Sequence, residues 1–431
     1  MISQVPKLQK VFNKLEIDKS LYYDVEFIEN PSAEYIKQFF IDLENHKDYK
    51  KLKDNFIYDE EYNVLVHIHS KFPLKELEGL KDEERSFYSF MSKVEIKRIF
   101  NIKNSEDYLL RLRAEQVQGD MRFKRVFTNL KNRKNNSWSF TQHFETSLYN
   151  KYLKKLKTEH RKKCLNIPRG TIHAAEANGM CLKTPFGNII TLSSNLRQFL
   201  YYMNLFLFGH NFEVPTIDIH TSFILAVRIM FGKESPDFEI DSRGKLPNSI
   251  DREISKLTDW QMSFIIGHEF AHHYLDHLKN SKLSQSLNVL SHKKSHTFYT
   301  YRQEQEFEAD LNSIIQTSYS SEHKSQLLNG AFYFFAHLFL FDQIDNYLFP
   351  RGTYSHTHPK PIDRMLTLRE SIKEDIGMSK SELNDFISNT KEFSNFYLTE
   401  YVPFHVDQIE MEGSVYLPSY KKSYKIDRLD M

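Results

Sequence analysis

In the run Phe264-Ile265-Ile266-Gly267-His268-Glu269-Phe270-Ala271-His272-His273-Tyr274, two histidines stand four residues apart and a glutamate directly follows the first. On an α-helix that spacing sets His268 and His272 on one face, one turn apart, so two ring nitrogens can reach a single zinc ion at about 2.1 Å. Glu269 then points beside the metal, where a carboxylate can take a proton from an activated water. With 19 histidines in 431 residues the bare pattern is only suggestive, and its setting carries the weight. Two imidazoles and a carboxylate inside an apolar run are costly unless something satisfies them, and a metal does so.

A structural zinc is closed by four protein ligands, whereas a catalytic one keeps three and an open position. The candidate third ligand is Glu306, in Glu306-Phe307-Glu308-Ala309-Asp310, with Glu304 in reserve. Asp310, one helical turn later, shares the face of Glu306 and is expected to accept the outer N–H of a ligand histidine, fixing its tautomer. Glu308 falls elsewhere on the helical wheel and is expected to face solvent. His273 and His277 share a stripe offset from the metal face and are expected to be structural or surface residues. His292 and His296 lie in a polar connection, expected to be an ordinary loop. In Tyr354-Ser355-His356-Thr357-His358-Pro359, His356 and His358 stand out, and an imidazole there, with His358 the candidate, could hold the oxyanion of a tetrahedral intermediate.

The elements that must position these groups follow from caps and periodicity. Thr258 with Gln261 matches a capping box and predicts a helix from there to about Leu278; Thr300 with Gln303 predicts a second, to about Thr317. An aromatic helix is expected from Leu327 to Tyr347, a fourth helix opens at Pro361, and Ser379 with Glu382 caps a fifth. Upstream, Met180 to Thr184 and Asn188 to Ser193 read as a hairpin around Pro185-Phe186-Gly187, followed by a helix capped by Asn195 and ending at Gly209. Another helix is expected over Thr221 to Phe231, and Pro236 to Asp241 reads as a short strand. Near the N-terminus, Ala33 to Glu44 and Leu148 to Lys163 have helical periodicity. The fold class is therefore α+β and predominantly helical. The expected divisions are residues 1–166, a charged, aromatic-rich helical domain for substrate selection or sensing; 167–375, the metal-binding domain; and 376–431, a C-terminal helix and tail.

Forty per cent hydrophobic residues supply real cores without covalent staples. The two cysteines, Cys164 and Cys181, form no Cys-x-x-Cys pair and read as reduced thiols, in keeping with a cytoplasmic location. The N-terminus lacks the unbroken apolar core of a signal peptide. The longest apolar stretches, Ser222 to Gly232 and Ala331 to Phe341, fall short of the about 20 residues that span a bilayer, so no membrane association is expected. The net charge of +1 hides an uneven distribution: residues 121–170 carry 14 Lys or Arg against Glu145 and Glu159 alone. Such a stretch is either a solvated helix face or a docking surface for an acidic protein or a nucleic acid, although no named nucleic-acid module is present.

His268-Glu269-Phe270-Ala271-His272, then the Glu306-x-x-Ala309-Asp310 helix, an aromatic helix, and His358-Pro359 with Arg364, together resemble the gluzincin metallopeptidases of the CAAX prenyl protease and heat-shock membrane peptidase family. The resemblance covers about a hundred residues, from Gly267 to Arg364. It implies a thermolysin-like zinc peptidase core with a small sheet. His268, His272 and Glu306 would be the zinc ligands, Glu269 the base and Asp310 the orienting group, with the His-Pro segment lining the site. Members of that family are usually embedded in membranes, and this sequence departs from them in lacking spanning helices. In general layout and over Gly170 to Gly209 the chain also resembles the Lit peptidases of phage exclusion, soluble bacterial enzymes with the same histidine motif that cut an intracellular translation factor.

The functional expectation is a zinc-dependent endopeptidase acting on an intracellular protein, in phage defence or a stress response. An extended substrate would pair with a strand near the site, either Asn188 to Ser193 or Pro236 to Asp241. Two alternatives are a catalytically silent zinc-fold sensor, disfavoured by the intact Glu269, and a regulator joining peptidase chemistry to nucleic-acid binding through residues 121–170.

Overall fold

The computed structural model describes residues 6–45, 49–134, 137–173, 178–234, 238, 242–279, 282–284, 298–300, 303–350, 359–411 and 413–420. The chain is mostly helical with small sheets, as expected of a predominantly helical α+β protein.

The N-terminal part is mixed rather than helical. Its elements are α1 (Pro6–Lys14), β1 (Leu21–Glu29), α2 (Ala33–Glu44), β2 (Phe56–Asp59) and β3 (Val64–Pro73), and the strands form an antiparallel sheet in the order β1-β3-β2. Side chains of β3 alternate between faces. Val64, Val66 and Ile68 pack with Leu8, Val11 and Phe12 of α1, while Leu65 packs with Phe39 and Leu43 of α2. Helices α3 (Lys93–Phe100), α4 (Ser105–Gly119) and α5 (Met121–Lys134) follow around a separate aromatic core of Phe90, Phe127, Trp138 and Phe140.

Some cations of the basic stretch make contacts within the protein, whereas Lys134, Lys151, Lys154 and Lys157 are exposed. Lys124 of α5 pairs with Asp24 at 2.5 Å, Lys131 donates to the carbonyls of Tyr88 and Met91, and Lys163 donates to the Tyr274 carbonyl at 3.0 Å. The segment read as one helix over Leu148 to Lys163 is two, α6 (Ser147–Lys155) and α7 (Thr158–Cys164).

Next comes a three-stranded sheet of β4 (Arg169–Ile172), β5 (Gly179–Thr184) and β6 (Gly187–Ser193), in the order β4-β6-β5, with β5-β6 as the expected hairpin. The helices α8 (Ser194–Phe208), α9 (Thr216–Met230) and α10 (Asn248–Tyr274) precede a short pair of strands, β7 (Lys282–Ser284) and β8 (Phe298–Thr300). They are followed by α11 (Gln303–Ile315), α12 (Ser321–Leu348), α13 (Pro361–Ser371), α14 (Lys380–Phe396) and α15 (Val402–Glu410). Only Phe238 of the expected strand over Pro236 to Asp241 is described, so that strand lies outside the described residues.

Two caps differ from expectation. The α8 cap is Ser193, which accepts from the Leu196 amide, so Asn195 falls inside the helix. Helix α10 opens ten residues before Thr258, after Pro247. Thr258 and Gln261 are buried mid-helix, where Asn204 Nδ2 donates to Thr258 Oγ1 at 3.0 Å and to Gln261 Oε1 at 2.8 Å. The side chains that would cap a helix end here satisfy a buried amide instead. Ser379 and Glu382 do form the expected capping box, and Pro361 occupies the first turn of α13.

One hydrophobic core surrounds α10. It takes in Tyr149, Tyr152 and Leu153 from before residue 167, and Leu383, Tyr397 and Leu417 from after residue 375. A Cβ on Gly267, the residue before His268, would stand 2.5 Å from the Tyr152 ring, so glycine is what lets α6 close on α10. The Tyr152 hydroxyl then donates to the Ser313 carbonyl at 2.6 Å, tying α6 to α11. Helix α12 is long and apolar enough to cross a membrane by length and composition, and 61% of its apolar window is buried inside the protein. Cys164 and Cys181 are buried free thiols.

Candidate metal centre

Helices α10 and α11 bring His268, His272 and Glu306 together, with candidate ligand atoms that all lie within 4.8 Å of one another. The three residues are 7%, 1% and 0% exposed. His268 Nε2 and His272 Nε2 face each other at 2.9 Å, and Glu306 presents Oε2 to the first at 3.6 Å and Oε1 to the second at 3.4 Å.

The far side of each imidazole fixes which nitrogen is bare. Asp310 Oδ1 lies 2.8 Å from His268 Nδ1, so a carboxylate accepts that N–H, and in the neutral ring Nε2 is the nitrogen left to meet a metal. His277 Nε2 lies 3.1 Å from Glu308 Oε2 and donates to it, which makes His277 Nδ1 an acceptor. His272 Nδ1 lies 2.8 Å from that atom and donates, leaving its own Nε2 bare. Burial, reinforced by the neighbouring His268, depresses the His272 pKa to about 3, so this ring is neutral. Two nitrogen lone pairs and a carboxylate edge therefore converge on one point. That donor set fits a divalent d-block cation: tetrahedral ligands at zinc distances lie roughly 3.3 Å apart, inside the observed range of separations.

A second layer holds this set in place. Arg364 of α13 donates Nε to Asp310 Oδ2 at 2.8 Å and Nη2 to Asp310 Oδ1 at 2.6 Å, and its guanidinium lies 4.6 Å from the centre of the Phe335 ring. Burial penalises the Asp310 charge, but Arg364 and His268 together outweigh burial and hold the carboxyl below its usual range. His268 is likewise opposed by burial, and its Asp310 hydrogen bond raises its pKa nonetheless.

On its open side the centre meets a cavity of about 710 Å³. The cavity is lined by His268, Glu269, Glu306 and Arg364, by the apolar Phe264, Phe334, Leu338 and Ile362, and by the charged Asp342 and Lys360. Glu269 packs beneath the start of β5, where a Cβ on Gly179 would stand 3.1 Å from Glu269 Oε1. The hairpin strand expected to receive substrate, Asn188 to Ser193, is β6, and it cannot do so: it is the middle strand, paired with β4 on one side and β5 on the other. Among the described residues β5 pairs only with β6, and Asn178 and Gly179 at its start line the cavity.

His268, Glu269, His272, Glu306 and Asp310 thus stand together. His356 and His358, like His292 and His296, lie outside the described residues. Two supporting roles go beyond the sequence reading. Arg364 is the bidentate partner of Asp310, and the His277–Glu308 pair orients His272. His277, read as structural or surface, is buried at 4% exposure, and Glu308, read as solvent-facing, is half exposed yet bonded to it. The chain folds back at Asp276, whose φ of 61° returns His277 to His272. The sole sequence signal was an aspartate, a residue that tolerates left-handed backbone, just past the helix end. Comparison with protein-family models, with curated proteins and with solved structures gives no match to this chain.

Proposed function

We propose that this chain is a zinc-dependent endopeptidase of intracellular proteins. One observation carries the reading: a His/His/Glu donor set borders a cavity that Glu269 also lines. Zinc, when bound by His268, His272 and Glu306, supplies Lewis acidity toward a carbonyl oxygen and lowers the pKa of a water. Glu269 is the residue placed to take the proton of the attacking water and return it to the leaving amine. Asp310 and His277 hold the two imidazoles in the tautomers that leave Nε2 bare, and Arg364 keeps Asp310 ionised. An extended peptide would add to β5 at Asn178 and Gly179, running its main chain across the cavity, while Phe264, Phe334 and Leu338 receive an apolar side chain.

The test compares new protein termini in cells expressing wild type and Glu269→Gln. Termini that appear with wild type and vanish with the variant support the reading. Zinc bound by both proteins with no new termini from either would instead assign the chain to metal-dependent binding without turnover.

A further inference from the structure

A second group of metal-type donors lies in the N-terminal sheet. The β1-β3 register sets Glu26 opposite His67; Val25 then pairs with Ile68 and Asp24 with Ser70, so His69 is the extra residue of a bulge. The two-residue period of a strand puts His67 and His69 on one face, and the bulge carries His69 over to Glu26. His69 Nε2 stands 2.7 Å from Glu26 Oε1, and His67 Nδ1 stands 3.7 Å from Glu26 Oε2. The three side chains are buried, at 5%, 9% and 4% exposure for Glu26, His67 and His69. Close as they are, both carboxylate oxygens, His67 Nδ1 and His69 Nε2 lack a partner in hydrogen-bonding alignment among the described residues. Four buried polar atoms aimed at one another without being satisfied are unusual in a native core.

We propose that Glu26, His67 and His69 form a second metal site that takes one divalent ion of the zinc class. Two imidazole nitrogens and a carboxylate are borderline donors suited to zinc rather than to calcium or magnesium. All the candidate ligand atoms fall within 4.8 Å of one another, as in the core centre. The Phe56 ring stacks on His67 with centroids 4.2 Å apart and covers the group, so the ion ties β1 to β3 across the bulge. Lys124 is already paired with Asp24, but the buried Arg125 acts electrostatically on both Glu26 and His67 and opposes a cation. The ion is therefore held more weakly here than at His268, His272 and Glu306. The rival arrangement is a plain His69–Glu26 ion pair with no metal.

The experiment uses the full chain, loaded with zinc chloride and desalted. Metal analysis should find two zinc ions per chain, one in His67→Gln/His69→Gln and one in His268→Ala/His272→Ala. Stepwise chelation should remove the N-terminal ion first. A zinc content left unchanged by His67→Gln/His69→Gln overturns the proposal, whatever the core group holds. Zinc-edge anomalous scattering from wild-type crystals decides without any variant: a peak between Glu26, His67 and His69 supports the site, and its absence from crystals grown in excess zinc refutes it. Because the two groups are read separately, this outcome does not depend on the peptidase reading.

Discussion

His268, His272 and Glu306 are carried on two helices and open onto a cavity; Glu26, His67 and His69 are carried on two strands and lie under the Phe56 ring. The donor types are the same, and the surroundings are not. In the core, Asp310 and His277 sit behind the imidazoles, a carboxylate stands beside the donors, and one side is left open for a substrate. In the sheet, the donor atoms lack aligned hydrogen-bond partners among the described residues, and Arg125 opposes the charge they would hold. A trio of metal-type donors is thus common to both, whereas chemistry needs an open position, a base and fixed tautomers.

Variants can break this contrast at different strengths. His272→Ala should abolish both zinc binding in the core and cleavage while the N-terminal ion remains, which metal analysis and a cleavage assay read together. Arg364→Leu leaves the Asp310 carboxylate buried without its bidentate partner, and urea unfolding should show a loss of about 3–5 kcal/mol. His277→Asn should weaken zinc binding in the core by roughly 10–100-fold in chelator competition, the usual cost of losing an orienting partner. Glu308→Gln should weaken it less, because this carboxylate is half exposed. Gly267→Ala drives a methyl against the Tyr152 ring, and overpacking of that kind should lower stability by about 1–3 kcal/mol with zinc still bound.

The core donors were legible because local geometry decides them. A four-residue spacing shares a helix face whatever the fold, and Glu306 with Asp310 repeats the same logic. The hairpin, the Ala33 to Glu44 helix and the Ser379 cap were legible for the same reason. Thr258 and Gln261 misled because a capping pair and a buried amide network use identical residue types, and only the arrival of Asn204 from α8 separates them. The N-terminal sheet was hidden because Leu21–Glu29 alternates charge with aromatics, and its polar face becomes buried only when α5 covers it. His277 depended on one left-handed residue, and the middle position of β6 on the return of β4 to its other edge. These are tertiary facts, invisible to any window of local sequence.

The most direct measurement sets Glu269→Gln against wild type at equal zinc occupancy, using a protein substrate identified from its new termini. The glutamine keeps the size of the side chain and cannot accept the proton, so the cleavage rate should fall by about 10²–10⁴-fold, the usual contribution of a positioned general base, with zinc content unchanged. Equal rates for the two proteins would contradict the assignment of Glu269 as the base and, with it, the proposed mechanism.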